Sequence, residues 1–414
     1  MTNQKDLILK LNEDCMDHIF KMLPIGDRIN LILSYQMFCH IFTLRLKIEY
    51  KSNLNTRFFN SLKTFQLKVL LFIIGAHIKN LIVEFPFEEK SYLKKQLYFK
   101  FLFKFCLNAE NLSYNGWGVS DESIKSLRLL RNLKSLTIIN NLDVTGKYIH
   151  NLYGLEKLTL NNCTRIDSQY FGKIFKNLKN LLFLDIRNCK QLSTQNFQQI
   201  LENLLQLNTL KLSTTHENFN CLTQLAKLKH LEICRNNILS APISQDFLDN
   251  LQTYQAQQLE ELKLIDYDSF DSEKAALVAK LKKLKVLHCI CNPCDDEILN
   301  ELSHLSELEE LDINNSYFIT NQSVLQLLTQ CQKLRRLYLR SCGILTSDLI
   351  QNILMLLHHQ RQLQIERVHI QAYNTLPFKI SEMELEDSSD VLKLSYKYTN
   401  PDYEHITEII EIIK

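Results

Sequence analysis

His288-Cys289-Ile290-Cys291-Asn292-Pro293-Cys294, followed by Asp295 and Asp296, comes nearest to a reactive site in this 414-residue chain. A Cys-x-x-Cys pair after a strand and before a helix is the frame of a thiol redox site, where one thiolate attacks and the other resolves. A histidine with three cysteines also offers nitrogen and sulfur ligands to zinc. Neither chemistry is complete. A structural zinc site needs a second ligand pair, and none follows at a suitable spacing. In an alternating strand Cys289 points to the face opposite His288. His358-His359 has no companion ligands, and the chain has no phosphate-cradling Gly-x-x-x-x-Gly-Lys, no Gly-x-Ser-x-Gly and no His-Glu-x-x-His. The residues therefore predict no catalytic, cofactor or metal site and a non-enzymatic role.

The element that positions these residues is a repeat. Leu155-x-x-Leu158-x-Leu160-x-x-Cys163-x-x-Ile166 returns as Leu181-x-x-Leu184-x-Ile186-x-x-Cys189-x-x-Leu192. Further copies begin at Leu133, Leu207, Leu228, Leu259, Leu284, Leu308 and Leu334, with degenerate ones at Ile78, around Leu112 and at Ile365. From Leu133 onward the intervals run from 21 to 31 residues, and the pattern is that of a leucine-rich repeat. Between the strands, segments such as Phe171 to Leu178 and Ser323 to Leu328 carry apolar residues three and four apart, as helices do. One such unit cannot enclose its own apolar face, so neighbours must stack. The predicted fold class is α/β: a curved leucine-rich-repeat solenoid, parallel strands on the concave face and helices on the convex face. Cys289 takes the third leucine position of its repeat. Cys163, Cys189 and Cys342 read as small buried side chains turning the chain after a strand.

Alternation then assigns a recognition surface. Strand residues between the leucines line the concave face, among them Phe183, Asp185 and Arg187, then Glu310 and Asp312, then Arg336, Tyr338 and Arg340. Arginine and tyrosine are frequent binding anchors, and these eight residues are the candidate substrate contacts.

Composition narrows the partners. Forty-eight basic against 46 acidic residues leave a formal charge of +2, which argues against broad binding to nucleic acid or an anionic membrane. Lys90 to Phe105 interleaves lysines with aromatic residues in a way that suits base stacking, but the balanced charge favours a repeat helix with an apolar face and solvated lysines. The twelve cysteines fall in repeat frames or helices, as expected in a reducing compartment. Met1 to Asp17 lacks a signal pattern, and the longest apolar run, Val69 to Ala76, is short of the roughly 20 residues of a membrane span. The expected location is cytoplasmic or nuclear, with no membrane partner.

Residues 7–50 do not fit the repeat. Asn12 or Asp14 can cap a first helix with Cys15, Met16, Ile19, Phe20 and Leu23 as its apolar residues, and Pro24 ends it. Asp27 can cap a second helix from Arg28 to about Leu33, and Phe38, Ile41 and Phe42 suggest a third. Leu11, Ile19-Phe20, Leu23-Pro24, Asp27 and Phe38 fall at the ungapped spacing of an F-box. With the cysteine-containing repeats behind it, the chain resembles the F-box/leucine-rich-repeat family of substrate receptors. Asn12, Ser34 and Tyr35 depart from that family's usual residues. The resemblance implies that Leu11, Ile19, Phe20, Leu23 and Pro24 bind a Skp-type adaptor and, through it, a cullin scaffold. It also implies that the repeats hold a protein substrate for ubiquitination and proteasomal degradation. The alternative is an interaction scaffold with no ubiquitin role, whose first helices only cap the array. The expected domains are 7–50 F-box-like, 51–77 helical transition, 78–371 repeats and 372–414 a capping segment. Within these, Trp117 is a buried or a contact aromatic, Ser240 to Gln258 is a loop insertion, and the acidic run Ser381 to Asp390 is a solvated loop.

Overall fold

The computed structural model describes residues 11–34, 39–84, 92–116, 118–235, 242–265, 270–289, 294–313, 316, 318–339, 342, 345, 348–361, 368–371 and 392–395. Arg340, Cys291, Trp117, Phe38, Tyr35 and the acidic run lie outside them. The chain forms two compact units, Met1–Phe183 with Cys189–Gln191 and Leu184–Asn188 with Leu192–Lys414.

The first unit opens with α1 (Glu13–Met22), α2 (Ile25–Ser34) and α3 (Cys39–Tyr50). There follow β1 (Asn53–Asn55), α4 (Thr64–Ile74), β2 (Asn80–Glu84), α5 (Tyr92–Phe105), β3 (Asn111–Asn115), α6 (Asp121–Ser126), β4 (Ser135–Ile139), β5 (Lys157–Asn161) and α7 (Ser168–Asn177). Strands β1 to β5 pair in sequence order, all parallel, and Leu54, Leu81, Leu112, Leu136 and Leu158 stand in register across them. These leucines are buried, as are the second inward residues Val83, Tyr114, Ile138 and Leu160. Each strand thus turns one side to the helices and the other outward. Burying a leucine side chain stabilises by about 2 kcal/mol, so the period of two fixes which side is which.

Residues Phe183–Asp185 form β6, where the two units divide. The second unit continues with α8 (Thr194–Asn203), β7 (Thr209–Ser213), β8 (His230–Cys234), α9 (Gln245–Gln255), β9 (Glu261–Ile265), α10 (Ser272–Val278), β10 (Val286–Cys289) and α11 (Asp296–Leu302). It ends with β11 (Glu310–Asp312), α12 (Asn321–Gln330), β12 (Arg336–Tyr338), α13 (Asp348–Arg361), β13 (Val368–Gln371) and β14 (Leu392–Ser395). Strands β7 to β14 again pair in order and parallel, with Leu210, Leu231, Leu262, Leu287, Leu311, Leu337, Ile370 and Leu394 in one register. Both units are α/β repeat solenoids.

Three expectations change in detail. Strand pairing begins at β1, ahead of the first repeat expected at Ile78, because Leu54 supplies a buried anchor in a segment with no full repeat signature. The insertion at 240–258 is largely helix α9, capped by Ser244 and holding Phe247, Leu248 and Leu251 inward. Helix α2 starts at Ile25, directly after Pro24, so Asp27 lies in its first turn rather than capping it.

The turn after several strands is made by asparagine. Asn140, Asn162 and Asn188 adopt left-handed φ values of 56°, 56° and 59°, a conformation that asparagine tolerates better than most residues. The cysteine that follows does a different job. The Cys163 thiol donates to the Ile138 carbonyl (3.4 Å) and the Cys189 thiol to the Leu160 carbonyl (2.9 Å), each belonging to the preceding repeat's strand. A thiol here fills a small buried space and bonds a carbonyl of the preceding strand.

Candidate functional site

Two surfaces arise from these elements. The first is on α1. Asn12 caps the helix by accepting from the Cys15 amide (2.9 Å), and Leu23 ends it in extended backbone ahead of Pro24. Met16 and Phe20, one turn apart, are buried, and Phe20 stacks on Phe42 of α3 with ring centroids 4.6 Å apart. A second apolar stripe, Cys15, Ile19 and Met22, lies outward at spacings of four and three. Ile19 is 39% exposed and Met22 75%.

Of the residues expected to touch an adaptor, Ile19 and Pro24 are exposed and Leu11 and Leu23 half-buried. Phe20 is not on that surface. It is fully buried against Phe42, because at i+4 from Met16 it falls on the inward stripe. Its place outside is taken by Met22, which a single apolar list for the helix does not separate from the core side. Leu33 of α2 and the i, i+4 pair Leu44 and Ile48 of α3 are also exposed.

One arginine locks the corner between α1 and α2. Arg28 donates from Nε to the Leu23 carbonyl (2.7 Å), from Nη2 to the Lys21 carbonyl (2.8 Å) and from Nη1 to Glu49 (2.7 Å). Its guanidinium carbon lies 5.4 Å from the Phe20 ring centre. The two carbonyls it holds are those a helix end leaves without partners.

The second surface is the strand face of the second unit. Arg187 donates from Nε (2.9 Å) and Nη2 (2.6 Å) to the two oxygens of Asp185, and from Nη1 to Glu232 of β8. Lys211 of β7 reaches the other Glu232 oxygen at 2.7 Å. The bidentate bond to Asp185 raises the pKa of Arg187 despite partial burial. Burial pushes the Glu232 carboxyl up, but the Lys211 hydrogen bond and the charges of Arg187 and Lys211 outweigh it and hold it below the usual range. Further along, His230 Nδ1 lies 3.0 Å from Glu261, whose other oxygen meets Lys263 at 2.7 Å. His288 Nε2 lies 2.7 Å from Glu310, and Arg336 Nε donates to the same carboxylate. Tyr338 stands edge-on to His288, ring centres 6.4 Å apart.

The strand face expected to offer substrate contacts is therefore partly closed. Asp185 and Asp312 are buried, 3% and 4% exposed, and cannot meet a partner directly. Asp185 lies under the Arg187 fork. Arg187, Glu310, Phe183 and Tyr338 are half-buried, and Arg336 is exposed. Sequence alternation does not show that opposite charges on adjacent strands consume each other. Lys211, Glu232, Glu261 and Lys263 belong to the same lattice, and their opposite signs one strand apart are the signal for it.

The Cys-x-x-Cys stretch offers no thiolate at its second position. Cys294 is buried, and burial pushes its thiol up to about 12. Cys106, Cys331 and Cys342 are likewise pushed up to about 12 by burial. A redox or catalytic cysteine needs the opposite shift. Among the described residues no group of three or more histidine, cysteine or acidic side chains is placed to hold a metal, and no helix is long and apolar enough to cross a membrane.

Parallel ladders in a single leucine register, backed by helices, define a leucine-rich-repeat α/β solenoid. No protein-family model and no curated protein matches the chain. Among solved structures it is similar to the Rad7–Elc1 complex of yeast, with a TM-score of 0.50 and 15% identity over 92% of this chain and 90% of that one. It is also similar to an internalin from Listeria monocytogenes, with a TM-score of 0.42 and 17% identity over 72% of this chain and 82% of that one. At these identities the likeness to the yeast structure is one of fold.

Proposed function

We propose that the chain is a substrate-recognition subunit of an SCF-type ubiquitin ligase. Helices α1 to α3 dock a Skp-type adaptor, and the repeats hold a protein substrate. One observation carries this reading. Helix α1 already fills its inward side with Met16 and Phe20, yet it keeps a second apolar stripe, Cys15, Ile19 and Met22, in solvent. A helix with an apolar stripe on each side is built to be covered on both. A cap serving only the repeat array needs a polar outer side, which disfavours the scaffold alternative. The spacing of Leu11, Ile19, Leu23 and Pro24 agrees with the F-box resemblance, and the yeast neighbour was itself crystallised as a complex of two proteins. The chain contributes no reacting group in this role. It raises the local concentration of substrate beside the transfer site.

The test is capture of purified Skp-type adaptor by the full chain, compared with the pair Ile19→Asp and Met22→Asp. Both positions are exposed, and Phe20 and Arg28 keep the corner intact, so the pair folds. Capture by the wild type and its loss in the pair is the expected result. A folded wild type that captures no adaptor removes the ligase reading and leaves the repeat scaffold.

A further inference from the structure

Helix α4 poses a separate problem. Eight of its eleven residues are apolar, and a helix apolar all round belongs inside a core. Only one side of it is inside. Leu67, Leu70, Leu71 and Ile74 are buried, while Phe65 is 48% and Phe72 76% exposed. The two phenylalanines are seven residues apart, on one face and about 10 Å apart along the axis.

The exposed face continues onto α5. Lys68, between the phenylalanines, holds its Nζ 5.1 Å from the centre of the Phe101 ring. At Gly75 an added Cβ would stand 2.7 Å from the Phe105 carbonyl oxygen, so the two helices touch backbone to backbone there. Lys104 is exposed on α5, and Leu107 just beyond it is 50% exposed. Helices α4 and α5 together contain five lysines and no aspartate or glutamate. The layer is therefore basic as well as apolar, in a chain whose overall charge is nearly balanced.

We propose that the α4–α5 layer is a docking surface for an acidic amphipathic helix of a protein partner, distinct from the adaptor surface on α1. Apolar residues at helical spacing cover Phe65 and Phe72, and flanking carboxylates meet Lys68 and Lys104. Charge complementarity selects an acidic occupant. The form of the stripe selects a helix over a bilayer: it is one side chain wide and interrupted by Lys68. That suits the i and i+7 anchors of helix recognition better than the broad apolar face of an interfacial segment.

The experiment uses the full chain and a fluorescent synthetic helix of about five turns (~18 residues). The peptide carries leucines three and four apart and glutamates elsewhere, and binding is read by anisotropy. Wild type is expected to bind it. The pair Phe65→Gln and Phe72→Gln is expected to bind about tenfold more weakly, as is the pair Lys68→Glu and Lys104→Glu. The same peptide with lysine in place of glutamate is expected not to bind. All four positions are exposed, so far-UV dichroism stays as in wild type, and adaptor capture through Ile19 and Met22 persists. The inference is overturned if the wild type ignores the acidic peptide or if either pair binds it as the wild type does. It is equally overturned if the phenylalanine pair loses adaptor capture, which would assign the surface to the adaptor. Wild-type binding to phosphatidylserine vesicles in place of the peptide, lost with Phe72, would assign it to membranes.

Discussion

Arg187 and Arg336 both lie on the strand face and both bond a carboxylate, yet they stand in different media. Arg187 is the lid of a pair of carboxylates that are almost wholly buried, Asp185 and Glu232. Removing it leaves Asp185 the backbone amide of residue 187 (3.1 Å) as a hydrogen-bond donor. Breaking a buried pair from one side costs several kcal/mol, because the surviving charge stays desolvated. Arg336 is 44% exposed at its side chain, and its Glu310 keeps His288; exposed pairs contribute at most about 1 kcal/mol. Arg187→Ala is therefore expected to lower the unfolding free energy by about 3 kcal/mol and Arg336→Ala by under about 1 kcal/mol, read from urea midpoints at unchanged slope. Equal losses would show that the Asp185 site is wet. For testing the proposed substrate surface, Arg336 and Tyr338 are thus usable and Arg187 is not. The sequence placed all three on one face. It could not rank them, because burial of a charge depends on which side chain of the next strand reaches over it.

At the scale of elements, the leucine period was legible almost throughout, because a period of two in a parallel strand leaves no freedom in which side is buried. A second period, of charge, runs beside it. The residue just before β2 to β5 alternates in sign, Lys79, Glu110, Lys134 and Glu156, and so does the residue before β8 to β12, Lys229, Glu260, Lys285, Glu309 and Arg335. Lys79 meets Glu110 at 2.9 Å, and Glu260 sits between Lys229 (2.7 Å) and Lys285 (3.0 Å). A shift of one repeat would place like charges together, so the ladder opposes wrong stacking. Hydrogen bonds from Lys229 and Lys285 lower the Glu260 carboxyl from 4.5 to about 2. Because the folded value lies below the unfolded one, the stabilisation is complete above about pH 4.5 and disappears as pH falls toward 2. Both lysines are half-exposed, which limits it to about 1 kcal/mol or less. Glu260→Gln should therefore be less stable than wild type at pH 6 and indistinguishable from it near pH 2, by urea midpoints at each pH. A gap that stayed constant across that range would refute the ladder as the cause.

At the scale of the whole molecule, the question is how the N-terminal helices are joined to the repeats. The sequence marked them as different in kind, since no leucine frame reaches into α1 to α3, but it held no sign of the joint. The joint is Gln66 of α4, a buried amide in a helix otherwise almost wholly apolar. Its Nε2 donates to the Gly26 carbonyl and to Asn30, both at 3.0 Å, and its Oε1 accepts from the Lys63 amide at 2.8 Å. One side chain thus ties the start of α2 to the first helix of the repeat stack and closes that helix's own N-terminus. In the proposed receptor role this tie would matter, because a loose N-terminal arm dilutes the proximity on which transfer depends. Gln66→Ala would remove three hydrogen bonds at once, those to the Gly26 carbonyl and Asn30 and the one from the Lys63 amide, at a cost of about 1–3 kcal/mol. Repeat arrays couple mainly between nearest neighbours, so the cost should stay local. Amide exchange over α1 to α3 is expected to speed up about tenfold or more, since each 1.4 kcal/mol is one factor of ten, while exchange in β7 to β12 holds its wild-type rate. Acceleration spread evenly over both regions would mean that the helices and the repeats unfold as one body, with no separate arm for Gln66 to hold.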